Sequence, residues 1–296
     1  MRFLLFGGGG QVGHALGACW LSGDELDELI VSTRQDCDLA DEVSVRALVR
    51  RVRPNVIVNA AAYTAVDKAE SDRELCFAIN AATPTVIAAE AAALGAKLVH
   101  YSTDYVFDGD SATPYIEEDP TGPRNVYGAS KLAGERGIAE AGGEFLILRT
   151  SWVYSNHGAN FLKTMLRLGT ERTELRIVAD QRGAPTSAEA IAGATLRILK
   201  LAGEGGWISG LFHMTAAGAT TWYGFAKAIF ARAAGPTPSL VPIATAEYPT
   251  PAARPANSIL SNDKFARAFG FRLPDWEQQL DAVMGAPTIA GQSRIF

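Results

Sequence analysis

Phe3-Leu4-Leu5-Phe6-Gly7-Gly8-Gly9-Gly10-Gln11-Val12-Gly13 joins a short apolar run to four glycines and then to the helical spacing of Gln11 to Leu21. The run reads as a buried strand and the glycines as its turn into a helix. Glycine permits the tight turn, lets backbone approach a pyrophosphate and allows close helix packing, while the helix N-terminus supplies N–H donors and positive dipole. The spacing fits G-x-x-G-x-x-G from Gly7 and also G-x-G-x-x-G from Gly8, so the subtype of dinucleotide turn stays open. A signal peptide is disfavoured, because its apolar part would end at once in glycine.

Strands and helices alternate beyond this turn. Leu29 to Thr33 reads as a strand, Val43 to Val52 as a helix ended by Pro54, and Val56-Ile57-Val58 as a strand buried on both faces. An Ala-rich helical stretch spans Glu70 to Leu94. Lys97 to Ser102 and Phe145 to Leu148 are further strands, with a helix around Lys131 between them. Such alternation predicts an α/β fold, a doubly wound parallel sheet covered on both faces. After about Thr150 the order weakens: Leu175 to Val178 and Leu211 to Met214 read as strands and Ala188 to Leu201 as a helix. Prolines at 236, 238, 242, 249, 251 and 255 exclude a regular helix there. The expected division is a dinucleotide-binding domain over 1–150, with 175–215 returning to it, and a smaller substrate domain made mainly of 151–296.

The chain has 296 residues, 48% hydrophobic and 20% charged, with a net charge of -5, which fits a globular protein and gives no attraction for a nucleic acid polymer or an anionic membrane. Cys19, Cys37 and Cys76 show neither disulfide nor zinc spacing, so a reducing, cytoplasmic setting is expected. No apolar run is expected to reach the length of a membrane span.

At the end of the second strand, Val31-Ser32-Thr33-Arg34 carries no carboxylate for a free ribose 2'-hydroxyl, whereas Arg34 suits a 2'-phosphate. NADPH is therefore favoured and NADH possible. The plain alternative is a solvated loop arginine. Asp38-Leu39 follows where the adenine is commonly bordered. Tyr127-Gly128-Ala129-Ser130-Lys131 sets a phenol and an ammonium at i and i+4 on one helix face. The ammonium would lower the phenol's pKa and make it a proton donor for carbonyl reduction. Thr103, ahead of Ser102, is the candidate for holding the substrate oxygen at the strand's carboxyl end. Ser102 reads as a satisfied strand-end hydroxyl.

With these residues stand Asn59-Ala60-Ala61-Ala62-Tyr63-Thr64-Ala65-Val66-Asp67, Tyr101-Ser102-Thr103-Asp104-Tyr105-Val106-Phe107, Arg149-Thr150-Ser151-Trp152-Val153-Tyr154, Asp180-Gln181-Arg182-Gly183-Ala184-Pro185-Thr186 and Tyr248-Pro249-Thr250-Pro251-Ala252. Over nearly its whole length the chain resembles the extended short-chain dehydrogenase/reductase family, and within it the branch that reduces dTDP-linked 4-keto sugars. The resemblance implies a Rossmann-like sheet, a nucleotide-sugar substrate and reduction of the C4 ketone of dTDP-4-dehydro-β-L-rhamnose. It makes Tyr127 the general acid, has Lys131 tune it and bind the nicotinamide ribose, and has Thr103 hold the C4 oxygen. Gly7, Gly10, Gln11 and Val12 would wrap the pyrophosphate. Ala62, Tyr63, Thr64 and Tyr101 would line the cofactor. Asp104 and Trp152 would contact the sugar nucleotide, an indole face suiting a deoxysugar, and Arg254 would bind its diphosphate. Core packing for Trp152 and solvation for Arg254 are the plain alternatives.

The family can bind magnesium at a dimer contact through carboxylates, one of them in the first helix; Ala15 stands there, so magnesium is doubtful although Glu189 remains, and a monomer or weak homodimer is expected. A dehydratase needs a Glu where Tyr105 stands. A 4-epimerase keeps the same Tyr and Lys and stays open, as does a non-catalytic NADP-binding subunit of the kind that regulates methionine adenosyltransferase. Arg46, Arg50, Arg51 and Arg53 read as a solvated helix end. His14, His100, His157 and His213 show no metal spacing. The tail from Gly285 is expected to be loosely ordered.

Overall fold

The computed structural model describes residues 1–21, 28–203 and 205–285. The tail after Gly285 lies outside the described residues. In chain order the first body contains β1 (Arg2–Phe6), α1 (Gln11–Leu21), β2 (Glu28–Ser32), α2 (Glu42–Val52), β3 (Val56–Asn59), α3 (Arg73–Leu94), β4 (Lys97–Thr103), α4 (Val126–Ala141) and β5 (Glu144–Thr150). The second half supplies α5 (Phe161–Glu171), β6 (Glu174–Val178), α6 (Ala188–Gly203), β7 (Gly210–His213), α7 (Trp222–Arg232), β8 (Ser239–Ile243), α8 (Asp263–Phe269) and α9 (Trp276–Gly285).

Six strands form one parallel sheet in the order β7-β5-β4-β3-β1-β2. Alternate residues of a strand face opposite sides, and β1 shows the result. Phe3 and Leu5 pack with Leu16 of α1 and Ile191 and Ile198 of α6. Leu4 and Phe6 pack with Val45 and Val49 of α2 and Ile87 of α3. The winding reverses between β1 and β3, which opens a crevice at their carboxyl ends where such sheets take ligands.

Two expectations are corrected on the second face. Helix α3, at 22 residues, is long and apolar enough by length and composition to cross a membrane. Its Val86, Ile87, Ala88 and Ala91 are instead buried in the protein's own core. The arginines of α2 are not simply solvated either. Arg46 and Arg50 reach Glu90 of α3 at 3.0 and 2.7 Å, and Arg53 caps α2 in the left-handed region.

The expected return of 175–215 to the first body is corrected at its start. Strand β6 pairs in parallel with β8 and stays out of the large sheet. The part that returns is α6, lying on α1, and β7, extending the sheet beside β5. Helix α8 joins the same core through Phe265 and Phe269. The smaller body has a core of its own, in which Leu162, Leu175, Ile177, Phe225, Phe230 and Leu280 pack around Tyr154 and Trp276.

Candidate active site

The glycine turn is built for close approach. At Gly7 φ is +82°, and a Cβ there would stand 2.6 Å from the Ala61 nitrogen; a Cβ on Gly13 would stand 2.1 Å from the Gly7 carbonyl. Gly10 N–H donates to the Gly7 carbonyl at 2.9 Å, and Val12 packs against the core behind it. Gln11 is held from the smaller body: its Oε1 accepts from Asn160 Nδ2 at 2.8 Å and from the Ser155 hydroxyl at 3.3 Å. His157 places Nε2 3.1 Å from the Gly9 carbonyl and stacks on His14 with ring centroids 3.9 Å apart. Two histidines without a pattern in the sequence thus meet over the turn.

Arg34 lies exposed in the turn after β2. Asp36 stands in the same turn. Asp36 Oδ2 accepts the Thr33 N–H at 2.8 Å and its hydroxyl at 2.7 Å, and these bonds hold its carboxyl below the usual range. Asp38 Oδ1 accepts from Ala40 N–H at 2.9 Å, while the Leu39 carbonyl accepts from the Thr83 hydroxyl. Ala62, Tyr63 and Thr64 follow β3, and Asn80 grips Tyr63 at both backbone groups, at 2.8 and 3.0 Å. Asn80 belongs to a π turn, Ala78–Ala82, inside α3. Such turns are frequent at functional sites, but helical periodicity gives no sign of one.

Asn125 caps α4, accepting the Gly128 N–H at 2.7 Å, and so fixes Tyr127 in the helix's first turn. Thr103 ends β4. Its hydroxyl donates to Asp104 Oδ1 at 3.0 Å and accepts Tyr105 N–H at 3.2 Å. Lys131 is only 1% exposed, with Nζ 2.6 Å from the Tyr101 carbonyl and 3.1 Å from His100 Nε2.

Here the expected electrostatics are corrected. Burial, rather than the ammonium, dominates Tyr127 and pushes its phenol above the ordinary value, while burial draws Lys131 down to about 8. In this state the amine serves Tyr101 and His100. Tyr101 contributes that carbonyl; its hydroxyl turns away to Thr195 at 2.7 Å, so its side chain does not line the crevice. The Ser102 hydroxyl is buried without a hydrogen-bond partner, where a satisfied one was expected. Asp104 Oδ2 is likewise unpartnered, and burial raises its carboxyl to about 7.

On the sugar side, Trp152 adopts φ +48° and stacks on Trp222 at 3.5 Å, 3° from parallel. One face of the indole is therefore covered. Arg254 is already engaged, reaching Asp67 at 3.0 and 2.7 Å and the Thr250 hydroxyl at 2.6 Å. Asn125 ties this loop to α4 by donating to the Ala253 carbonyl at 2.8 Å. Buried behind the site, Arg149 of β5 grips Glu135 of α4 with two bonds of 2.9 and 2.7 Å. Among the described residues no three or more His, Cys, Asp or Glu side chains cluster as a metal site.

The model of the RmlD substrate binding domain family matches residues 1–288. The chain belongs to this family. A dTDP-4-dehydrorhamnose reductase of Burkholderia thailandensis is 49% identical over 287 residues, covering 93% of this chain and 95% of the relative. That of Salmonella typhimurium is 47% identical, covering 94% and 95%. A Bacillus anthracis dTDP-4-dehydrorhamnose reductase solved in complex with NADP superposes with a TM-score of 0.89 at 37% identity, over 95% of this chain and 98% of that one. RmlD family membership and the parallel sheet agree with the fold and relationship expected from the motifs.

Proposed function

We propose that the protein reduces the C4 ketone of dTDP-4-dehydro-β-L-rhamnose to dTDP-L-rhamnose, with NADPH as the hydride source. What supports this reading is membership of this family together with Thr103 at the carboxyl end of β4, Tyr127 and Lys131 four residues apart on α4, and a glycine turn at the N-terminus of α1.

The residues fit the nucleotide. Gly7, Gly10, Gln11 and Val12 would hold the pyrophosphate at the N-terminus of α1, Arg34 the 2'-phosphate, and Ala62 to Thr64 the cofactor beside β3. Bound NADPH supplies a hydride to the carbonyl carbon. The protein's own task is the oxygen. Thr103 would turn its one hydroxyl proton from Asp104 Oδ1 to it, and Tyr127 would deliver the proton that turns the nascent alkoxide into a hydroxyl. Once Lys131 is charged beside the phenol, it favours the phenolate left behind. Trp152 would meet the sugar with the part of its indole that Trp222 and Gly183 leave free, Asp104 would add an acceptor, and Arg254 would reach the diphosphate while anchored on Asp67.

The test is NADPH oxidation with enzymatically made dTDP-4-dehydrorhamnose and, in parallel, its UDP counterpart. Loss of 340 nm absorbance in proportion to product is expected with the dTDP sugar; none with either sugar would overturn the reading. Tyr127→Phe should keep cofactor affinity and slow reduction by about 100-fold or more. Near-normal turnover would remove Tyr127 from the mechanism.

A further inference from the structure

The chain of hydrogen bonds behind Lys131 fixes where the protons sit. The Ala61 N–H must donate, and it meets Asn59 Oδ1 at 3.2 Å, which assigns oxygen and nitrogen of that amide. Asn59 Nδ2 therefore faces His100 Nδ1, at 3.1 Å, as a donor. The Nδ1 position must then be the lone pair of a neutral imidazole, and the ring's single proton lies on Nε2. That nitrogen is 3.1 Å from Lys131 Nζ. An ammonium has no lone pair to accept this proton, whereas an amine has one and can still donate to the Tyr101 carbonyl at 2.6 Å. Asn59 and His100 are 1% and 0% exposed, so water does not compete for these bonds.

We infer that His100 is a positioning residue that holds Lys131 as a neutral amine, so that Lys131 takes up a proton from solvent when it becomes the ammonium that tunes Tyr127. The step adds one proton to the amine's lone pair, breaks no covalent bond and ends the hydrogen bond from His100 Nε2. The surroundings agree. Burial holds the His100 imidazole well below its ordinary pKa, hence neutral. Burial, partly offset by Glu135 and Cys76, brings Lys131 to about 8, and a donor aimed at its lone pair acts in the same direction. The groups that oppose it are Glu135 on the same helix, whose carboxylate is engaged by Arg149 of β5, and the Cys76 thiol of α3, itself held up by burial.

The experiment uses the free, full chain. Long-range 15N–1H NMR of the His100 ring should show Nε2 protonated and Nδ1 bare. Titration of the Lys131 side chain followed by 13Cε and 15Nζ shifts should give a midpoint below neutrality, more than about three units under the ordinary lysine value. Asn59→Asp is nearly isosteric and replaces the donor facing Nδ1 with an acceptor. It should move the ring proton to Nδ1, leave Nε2 to accept from an ammonium, and raise the Lys131 midpoint by about one unit or more. A ring protonated at Nδ1 in the parent protein, or a Lys131 midpoint above about 7, overturns the inference. So does a midpoint unmoved in a folded Asn59→Asp variant. Should that variant not fold, the parent's tautomer decides alone. None of these readouts depends on the identity of the sugar.

Discussion

Asp104 carries a carboxyl whose Oδ1 accepts the Thr103 hydroxyl while its Oδ2 meets no partner, in a residue only 2% exposed. Burial raises its pKa to about 7 from 3.8, so the fold favours the protonated form. Stability from this group is complete below about pH 4 and is lost as pH rises through about 7, a difference of up to about 4 kcal/mol. Asp104→Asn stays neutral. Its melting temperature should overtake the parent's as pH is raised from 5 to 8.5, and a gap independent of pH would show that the carboxyl is not ionising in place. At this scale the sequence was partly legible. Thr103, Tyr127 and Lys131 were named from spacing and strand ends, because those cues are local. His100, Asn59 and Asn80 were not, since their partners stand 31, 41 and 50 residues away in Lys131, His100 and Ser130. No local pattern links such positions.

Helix α4 illustrates what an element contributes. Its N-cap, Asn125, performs two tasks, accepting from Gly128 N–H and donating to the Ala253 carbonyl. Asn125→Ala removes both and should lower stability by about 1 kcal/mol. Asn125→Asp keeps the acceptor but loses the donor, so its stability should fall less while the Michaelis constant for the sugar nucleotide rises as it does in the Ala variant. Equal behaviour of the two variants in denaturant melts would show that the cap is not the stabilising part. The large-sheet elements were readable because buried strands and amphipathic helices carry their own periods. The pairing of β6 with β8 was not. Pro242 obscures β8, and a five-residue strand carries no mark of which sheet it will join.

Across the whole molecule, the two bodies are fastened on either side of the crevice. Asp67 meets Arg254 at one side, and Asn160, Ser155 and His157 meet the glycine turn at the other. Asn160 also caps α5 by accepting Lys163 N–H at 3.1 Å. Asn160→Ala should weaken NADPH binding by about 5- to 10-fold, the scale of one lost buried hydrogen bond, in a fluorescence titration. Unchanged affinity would reduce the clasp to packing. The run from Trp152 to His157 is short and continuous, with the sugar-side indole at its head and the ring over Gly9 at its foot. Ordering either end restrains the other, so occupancy at the two subsites becomes thermodynamically linked: whatever factor the nucleotide lends to the affinity for the sugar, the sugar must return undiminished to the nucleotide.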